Sequence, residues 1–547
     1  MKLIANPRCK VRFARSPVSR AAIVVAIGLM AAGGPLSAQR PIDLDAVTIA
    51  EINAAFAKGT LTSERLVQLF LARIQAFDRQ GPMLRSVIAV NPKAIETARA
   101  LDAERKSKGP RSALHGIPIV LKDNIDTADM PTTGGSVMLE GSIPPDDAFV
   151  VKKLRAAGAV IIAKTNLSEF ASAATHSSLG GQILNPHNLT RSPAGSSGGT
   201  GVSLAAAFAM AGLGTDTGGS VRGPSTSNGI AGLKTTMGLV SRDGVIPLAL
   251  SFDTVGPMAR HVYDVAAMLN VLAGPDPADA STKAGAGRAA TDYTQSLRAD
   301  ALKGARIGVA RDFMGQDEDV DWAMEASLDT MRRLGATVVD VRLPRWLLDA
   351  KGEYYTTIRY REFVVQIADY LKTLGPSYPK TLDQLIERAR KMNAPRPDGA
   401  SPNPARWSLM LRESASGTLA DYQYTSVRDH ALPLVRAILG GVFAANTLDA
   451  IVYPTDSRRP QPTAPPSGTP GGGATSAANL ANLSGYPDLI VPAGFSTDGL
   501  PIAVSFLGPA FSEARLLALG YSFEQATKAR RLPVHTPLRS GESIAVP

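Results

Sequence analysis

The chain reads as an α/β protein in which helices cover a central β-sheet. Short apolar runs such as Ser86–Val90 and Ala159–Ala163 have the length and β-branched content of buried strands. Amphipathic segments at helical spacing lie between them. The two kinds alternate through the first third of the chain, as they do when helices pack over a sheet.

The first 38 residues stand apart. Six basic residues (Lys2, Arg8, Lys10, Arg12, Arg15, Arg20) precede the apolar run Ala21–Ala32 and the small-residue stretch Pro35-Leu-Ser-Ala38. This is the layout of a secretory leader, and the run is short of the roughly 20 residues a membrane span needs. The expected product is exported, periplasmic or secreted, and free of the membrane once the leader is cut. The leader holds six of the 58 Lys+Arg and none of the 48 Asp+Glu, so its loss takes the formal charge from +10 to +4. That balance gives no ground for nucleic-acid binding. The single cysteine, Cys9, leaves with the leader, and the six histidines show no metal-ligand spacing. No cofactor or metal is expected.

Two helices are expected next, Asp45–Lys58 and Thr62–Asp78. In the second, Thr62 is a cap and Leu66, Leu69, Phe70, Ile74 and Phe77 keep helical spacing. The strand 86–90 follows, then a helix from Pro92 that closes before Gly109-Pro110. A strand ending at Lys122 comes next, then a helix Ala148–Ala157 stopped by Gly158, then the strand 159–163. An Ala-rich segment, Val202–Ala211, reads as helix. From about 276 to 440 the pattern is harder to place. It contains a strand (Ala305–Ala310), a helix (Asp319–Gly335), a long helix (Leu347–Leu374) and a loop (Pro395–Pro404). The long helix carries Tyr354, Tyr355, Tyr360, Phe363 and Tyr370, either core aromatics or a wall for substrate. After the strand Leu448–Pro454, residues 458–473 hold five prolines and four glycines in sixteen positions and read as a loop or flap. Residues 485–494 and 500–508 read as paired strands, and Glu513–Ala529 as a closing helix.

Two glycine-rich loops flank the Ala-rich segment: Gly195-Ser-Ser-Gly-Gly199 and Gly214-Thr-Asp-Thr-Gly-Gly-Ser220. Glycine lets a backbone approach a substrate closely, and consecutive amides can converge on an anion. Ser220 ends the second loop and is the best nucleophile, with the amides of Thr217, Gly218, Gly219 and Ser220 as the expected oxyanion hole. A serine hydroxyl needs a base. No histidine is tied to either loop, and Lys122 serves only if burial lowers its pKa from about 10.4 by several units. Asp123 therefore has to point away from it. Ser196 and Ser197 are alternatively helix caps.

These residues carry a resemblance. Gly116-Ile-Pro…Lys122-Asp-Asn, the two serine loops, Gly229-Ile-Ala-Gly-Leu-Lys234-Thr and Asp253-Thr-Val-Gly-Pro257-Met are similar to the amidase signature family of serine hydrolases. The 24-residue step from Ser196 to Ser220 fits it as well. The resemblance covers Thr48–Leu272 well and Leu448–Ala526 more loosely. It implies a large mixed sheet in a single domain over 39–547, with its core at about 45–275 and 440–530 and a variable substrate-side insertion at about 276–440. It implies a Ser-Ser-Lys triad: Ser220 the nucleophile, Ser196 a relay held by a cis peptide, Lys122 the base. Ser197, Asp216 and Arg222 are supports, the last two as a salt bridge that fixes the loop. Lys164 and Lys234 are structural tethers.

The expected reaction is hydrolysis of carboxylic amide C–N bonds through an acyl-enzyme. Gly238-Leu-Val-Ser-Arg-Asp-Gly-Val-Ile-Pro247 and the leader lean toward bacterial peptide amidases, which act on C-terminal peptide amides. Aryl amides or esters are alternatives within the family. Gly195-Ser-Ser-Gly-Gly199 also matches the nucleophile elbow of α/β-hydrolases with Ser197 as nucleophile, but loop-like sequence stands where that motif needs a strand. A non-catalytic amide-binding protein is a third reading. The glutaminase component of tRNA-dependent amidotransferases shares the motifs, but an exported chain does not meet aminoacyl-tRNA. The expected partner is a small-molecule or peptide amide, and the chain a monomer or homodimer.

Overall fold

The structure, a computed structural model, describes residues 40–392, 401–463 and 476–546. The expected leader lies outside these residues, as do most of the loop expected at 395–404 and part of the proline- and glycine-rich segment.

The chain enters through β1 (Arg40–Asp43), which pairs with the last strand, and α1 (Ile49–Lys58). Thr48 and Glu51 form a reciprocal capping box at the start of α1, four residues later than the sequence pattern suggests. Thr62 caps α2 (Ser63–Arg73), whose expected C-terminal turn is π-helical, Ile74–Arg79. Next come β2 (Val87–Val90), α3 (Ala94–Lys108), β3 (Pro118–Lys122), α4 (Phe149–Ala156), β4 (Val160–Thr165) and the small hairpin β5 (His176–Ser177) and β6 (Gly181–Gln182). The two serine loops enclose α5 (Gly198–Ala205) and β7 (Ala211–Asp216), and α6 (Arg222–Ser227), β8 (Ala231–Lys234), β9 (Thr254–Ala259) and α7 (Val262–Leu272) complete this half.

The second half begins with β10 (Arg306–Ala310), α8 (Glu318–Arg333) and β11 (Thr337–Val341). The helices α9 (Arg345–Thr373), α10 (Leu382–Lys391), α11 (Pro404–Ser414), α12 (Tyr422–Ser426) and α13 (Leu432–Asn446) follow. The chain closes with β12 (Ala450–Pro454), α14 (Leu480–Ser484), the antiparallel pair β13 (Asp488–Phe495) and β14 (Pro501–Leu507), α15 (Glu513–Thr527) and β15 (Ser543–Val546). No described helix is long and apolar enough to cross a membrane.

Eleven strands form one mixed sheet in the order β11-β10-β12-β14-β13-β8-β9-β7-β3-β4-β2. β3, β4, β7, β8 and β9 are buried at every position, and the two of them read as strands from the sequence, β3 and β4, are apolar runs without alternation. The stretch 276–440 is not one insertion: β10 and β11 lengthen the main sheet, and only α9 to α13 form a separate layer over the site.

The Ala-rich helix starts at Gly198, directly after the serines and four residues earlier than its sequence suggests. Three glycines in its first turns argue against a helix by propensity, but proximity demands them. A Cβ on Gly199 would lie 2.1 Å from the Asn166 carbonyl oxygen and 2.5 Å from that of Ser86. Gly199→Ala is expected to cost roughly 3 kcal/mol or more, read as a lower melting midpoint. Gly352→Ala on α9, where a Cβ meets nothing within 4 Å, should be neutral or slightly stabilising.

Candidate active site

Lys122 ends β3 and Asp216 ends the neighbouring parallel strand β7, so both lie at the carboxyl ends of one pair of interior strands. The Lys122 amine is fully buried. It donates to Ser196 Oγ at 2.7 Å and to Thr215 Oγ1 at 2.8 Å, and Asn124 Nδ2 donates to the same threonine hydroxyl. Burial pushes Lys122 down from the ordinary 10.5 to about 7, against the raising charges of Asp216 and Asp253. Asp123 does turn away: its carboxylate takes Thr133 Oγ1, the amides of Thr133 and Gly135, and the ammonium of Lys164 at 3.4 Å.

The peptide bond Gly195–Ser196 is cis. The Ser196 carbonyl accepts from the amide of Ser168, and the amide of Ser197 donates to the Ser220 carbonyl at 3.2 Å. That bond fastens the first serine loop onto the second. Ser197 occupies the cap position of α5 but does not cap it. Its fully buried hydroxyl donates to the Thr215 carbonyl and accepts from the Thr215 amide instead, holding β7. A buried hydroxyl bonded in this way is not free to attack a substrate, and no strand leads into it, so the elbow reading fails on both counts. Ser220, by contrast, is partly exposed at the turn before α6.

The second loop departs from expectation at one position. The Gly219 amide donates to Asp216 Oδ1 at 2.8 Å and is not available to an oxyanion. Among the described residues nothing accepts from the amides of Thr217, Gly218 or Ser220. Of the four amides expected to face an oxyanion, that of Gly219 is thus taken by the Asp216 carboxylate, which uses it to hold the turn.

Asp216 is the hub of that turn. It accepts from Gly219, Val221 and Arg222 amides, from the Arg222 guanidinium at 3.2 Å and from Asn482 Nδ2 at 2.8 Å. Burial opposes its charge, but Arg222 and Asn482 hold it well below the usual carboxylate range. Arg222 also meets Asp488 at 3.3 Å and the Asn482 amide oxygen, and Asp488 in turn accepts from the Tyr453 hydroxyl. Removing Arg222 leaves two buried carboxylates without their cation. Arg222→Met is expected to destabilise by about 3–5 kcal/mol, seen as a fall in melting midpoint. Lys234 donates to the carbonyls of Thr235 and Tyr486 and serves as a tether.

Several contributors escape a reading of the sequence. Asn482 and Asp488 come from beyond residue 480, and their only sequence signal is their place in the second, looser block of family-like text. Tyr355, one of the α9 aromatics that the sequence does single out, reaches the loop: its hydroxyl lies 2.8 Å from where a Cβ on Gly218 would sit. The other aromatics of α9 have other work. Phe363 is core under Arg406, Tyr370 donates to Asp126, and Tyr360 lies under Arg359. Among the described residues no His, Cys, Asp or Glu group has the make-up of a metal site.

Residues 65–517 match the family described as Amidase. The chain belongs to the amidase family. A solved amidase relative, the native peptide amidase of Stenotrophomonas maltophilia, superposes with a TM-score of 0.82 at 39% identity, covering 90% of this chain and 99% of its own. A glutamyl-tRNA(Gln) amidotransferase subunit of Chloroflexus aggregans is 36% identical, over 89% of this chain and 97% of that protein. A probable amidase of Arabidopsis thaliana is 33% identical, over 89% and 91%. Membership makes this an amide-hydrolysing enzyme.

Proposed function

We propose that this amidase works by a Ser220–Ser196–Lys122 triad and releases ammonia from the C-terminal amides of peptides. The observation that carries the reading is the buried Lys122 amine, 2.7 Å from Ser196 Oγ and with no carboxylate hydrogen-bonded to it among the described residues. Burial brings it down to about 7, so the amine is neutral above that pH. Ser220 Oγ attacks the amide carbon. Its proton passes to Ser196, whose own proton passes to Lys122. The carbonyl oxygen becomes an oxyanion that accepts from the Thr217, Gly218 and Ser220 amides. On collapse the proton returns through Ser196 to the departing nitrogen, which leaves as ammonia. Water then attacks acyl-Ser220 by the same relay and frees the acid.

The peptide-amide preference is supported by the peptide amidase likeness and by the 238–247 phrase. A second reading, glutamine hydrolysis as part of an amidotransferase, is favoured by the identity to the glutamyl-tRNA(Gln) amidotransferase proteins. The secretory leader read from the sequence weighs against it. Purified chain lacking residues 1–38, offered peptide amides, aryl amides, glutamine and simple carboxamides, separates the two. Ammonia release fastest from peptide amides is expected, and preference for free glutamine overturns the peptide reading.

A further inference from the structure

The motif Asp253-Thr-Val-Gly-Pro257-Met supplies a buried carboxylate to which the reaction assigns no step. Asp253 Oδ1 accepts from Thr217 Oγ1 at 2.5 Å, and Oδ2 accepts from the amides of Leu248 and Ala249 at 2.8 and 3.0 Å. Thr217 is the first residue of the amide run that faces a substrate oxyanion. Its hydroxyl is thus tied to the loop 248–253, not to its own strand.

That loop is gripped from the other side by α9. Tyr355, Arg359, Glu362, Gln366 and Tyr370 recur at steps of four, three, four and four, so they share one face of the helix. Glu362 accepts from the amide and hydroxyl of Ser251 at 3.0 and 2.5 Å, and Gln366 accepts from the Leu250 amide at 2.8 Å. Tyr355 stacks on Phe252 with ring centroids 5.5 Å apart and reaches Gly218 with its hydroxyl. Arg359 and Tyr370 extend the same face to Ser172 and Asp126. A continuous path therefore runs from α9, through its polar bonds to 250 and 251 and its stacking on Phe252, along the loop to Asp253 and Thr217.

We propose that Asp253 is a positioning residue of this active site, fixing Thr217 in the anion-binding loop and transmitting to that loop the docking of α9. The inference rests on the Ser220–Ser196–Lys122 reading. Residues of α9, far along the chain from the serine loops, then set the geometry of the oxyanion hole through this loop. The carboxylate also acts on the base. Of the charges around Lys122, Asp216 and Asp253 favour its ammonium form, while Asp123 is turned onto Lys164. Burial raises Asp253 to about 6, against the hydrogen bonds from Thr217, Leu248 and Ala249 and the charge of Arg242, itself paired with Asp279, so the carboxylate carries its charge above that pH. Removing the Asp253 charge makes the Lys122 amine easier to deprotonate, so the active form persists to lower pH.

Three variants of the leaderless chain test this: Asp253→Asn, Thr217→Val and Thr217→Ser. Asparagine can keep both sides of the site, its oxygen accepting from Leu248 and Ala249 and its amide donating to Thr217 Oγ1. kcat and KM for a peptide amide, and the rate at which a fluorophosphonate labels Ser220, are followed from pH 5 to 10. Thr217→Val is expected to lower kcat about tenfold, less than the 10²–10³ of losing an oxyanion donor outright, with KM within threefold and the acid limb unmoved. Thr217→Ser should restore kcat. Asp253→Asn, which can keep the carboxylate's bonds, should hold kcat within about threefold of wild type and move the acid limb down by roughly half a pH unit or more, which a merely structural role would not do. An active Asp253→Asn enzyme with an unmoved limb overturns the proposal. If that variant does not fold, wild-type kcat in Thr217→Val overturns it. A wild-type chain that neither hydrolyses amides nor labels at Ser220 overturns the triad reading, and this assignment with it.

Discussion

Alanine at Ser220 is expected to abolish amide turnover and labelling by a serine-directed fluorophosphonate, while Ser197→Ala keeps both. The residual rate of Ser220→Ala should not exceed the 10³–10⁴ over water that binding and oxyanion donors supply by themselves. Two glycine loops each offer a serine where a nucleophile is plausible, and their surroundings separate them. Ser197 is buried, with its hydroxyl engaged on both sides by the backbone of Thr215. Ser220 is partly exposed and stands beside three amides with no protein acceptor among the described residues. Ser197→Ala loses two hydrogen bonds inside the core and should cost about 1–3 kcal/mol of stability. The readouts are kcat/KM, the mass of the labelled peptide and a thermal melt. Turnover that survives at 220 but vanishes at 197 would restore the elbow mechanism.

The site is legible where chemistry is written in contiguous text. Lys122, Ser196 and Ser220 each sit in a short motif whose residue types have few other uses together, and β3, which carries Lys122, is a plain apolar run; β7, between the serine loops, is not. Local propensity misleads where tertiary contact overrides it. Glycines 198, 199 and 201 argue against a helix until the atoms of Ile183, Asn166, Ser86 and Pro224 are known to lie against them. The Gly219 amide resembles an oxyanion donor in sequence because the partner that claims it, Asp216, acts only once the turn has closed. On α9 the aromatic residues are conspicuous, but the face that docks is marked by a mixed stripe from Tyr355 to Tyr370. Such a stripe has no hydrophobic period to reveal it. Asn482 and Asp488 could not be joined to Asp216 and Arg222 by any spacing rule, being 260 or more residues away along the chain.

Lys122→Met and Lys122→Arg should both inactivate the enzyme, and the wild-type rate should rise with pH through a limb near 7. Burial lowers the amine and the charges of Asp216 and Asp253 pull it back only part of the way, leaving about 7. Below that pH the group is an ammonium and cannot take the proton that Ser196 passes on; above it the amine is neutral and the rate levels off. The sign is opposite to that of an enzyme needing lysine as a cation, whose activity would fall as pH rises through the same value. Methionine fills a similar volume without basicity and should cost at least the 10²–10⁴ of a general base. The loss should approach that of Ser220→Ala, because members of one proton relay do not contribute additively. Arginine keeps a positive charge at every working pH, so its failure would show that a base, not a cation, is required. A kcat/KM profile from pH 5 to 10, with melts to establish that both variants fold, decides the matter. Substantial activity in Lys122→Arg would remove the neutral amine from the mechanism.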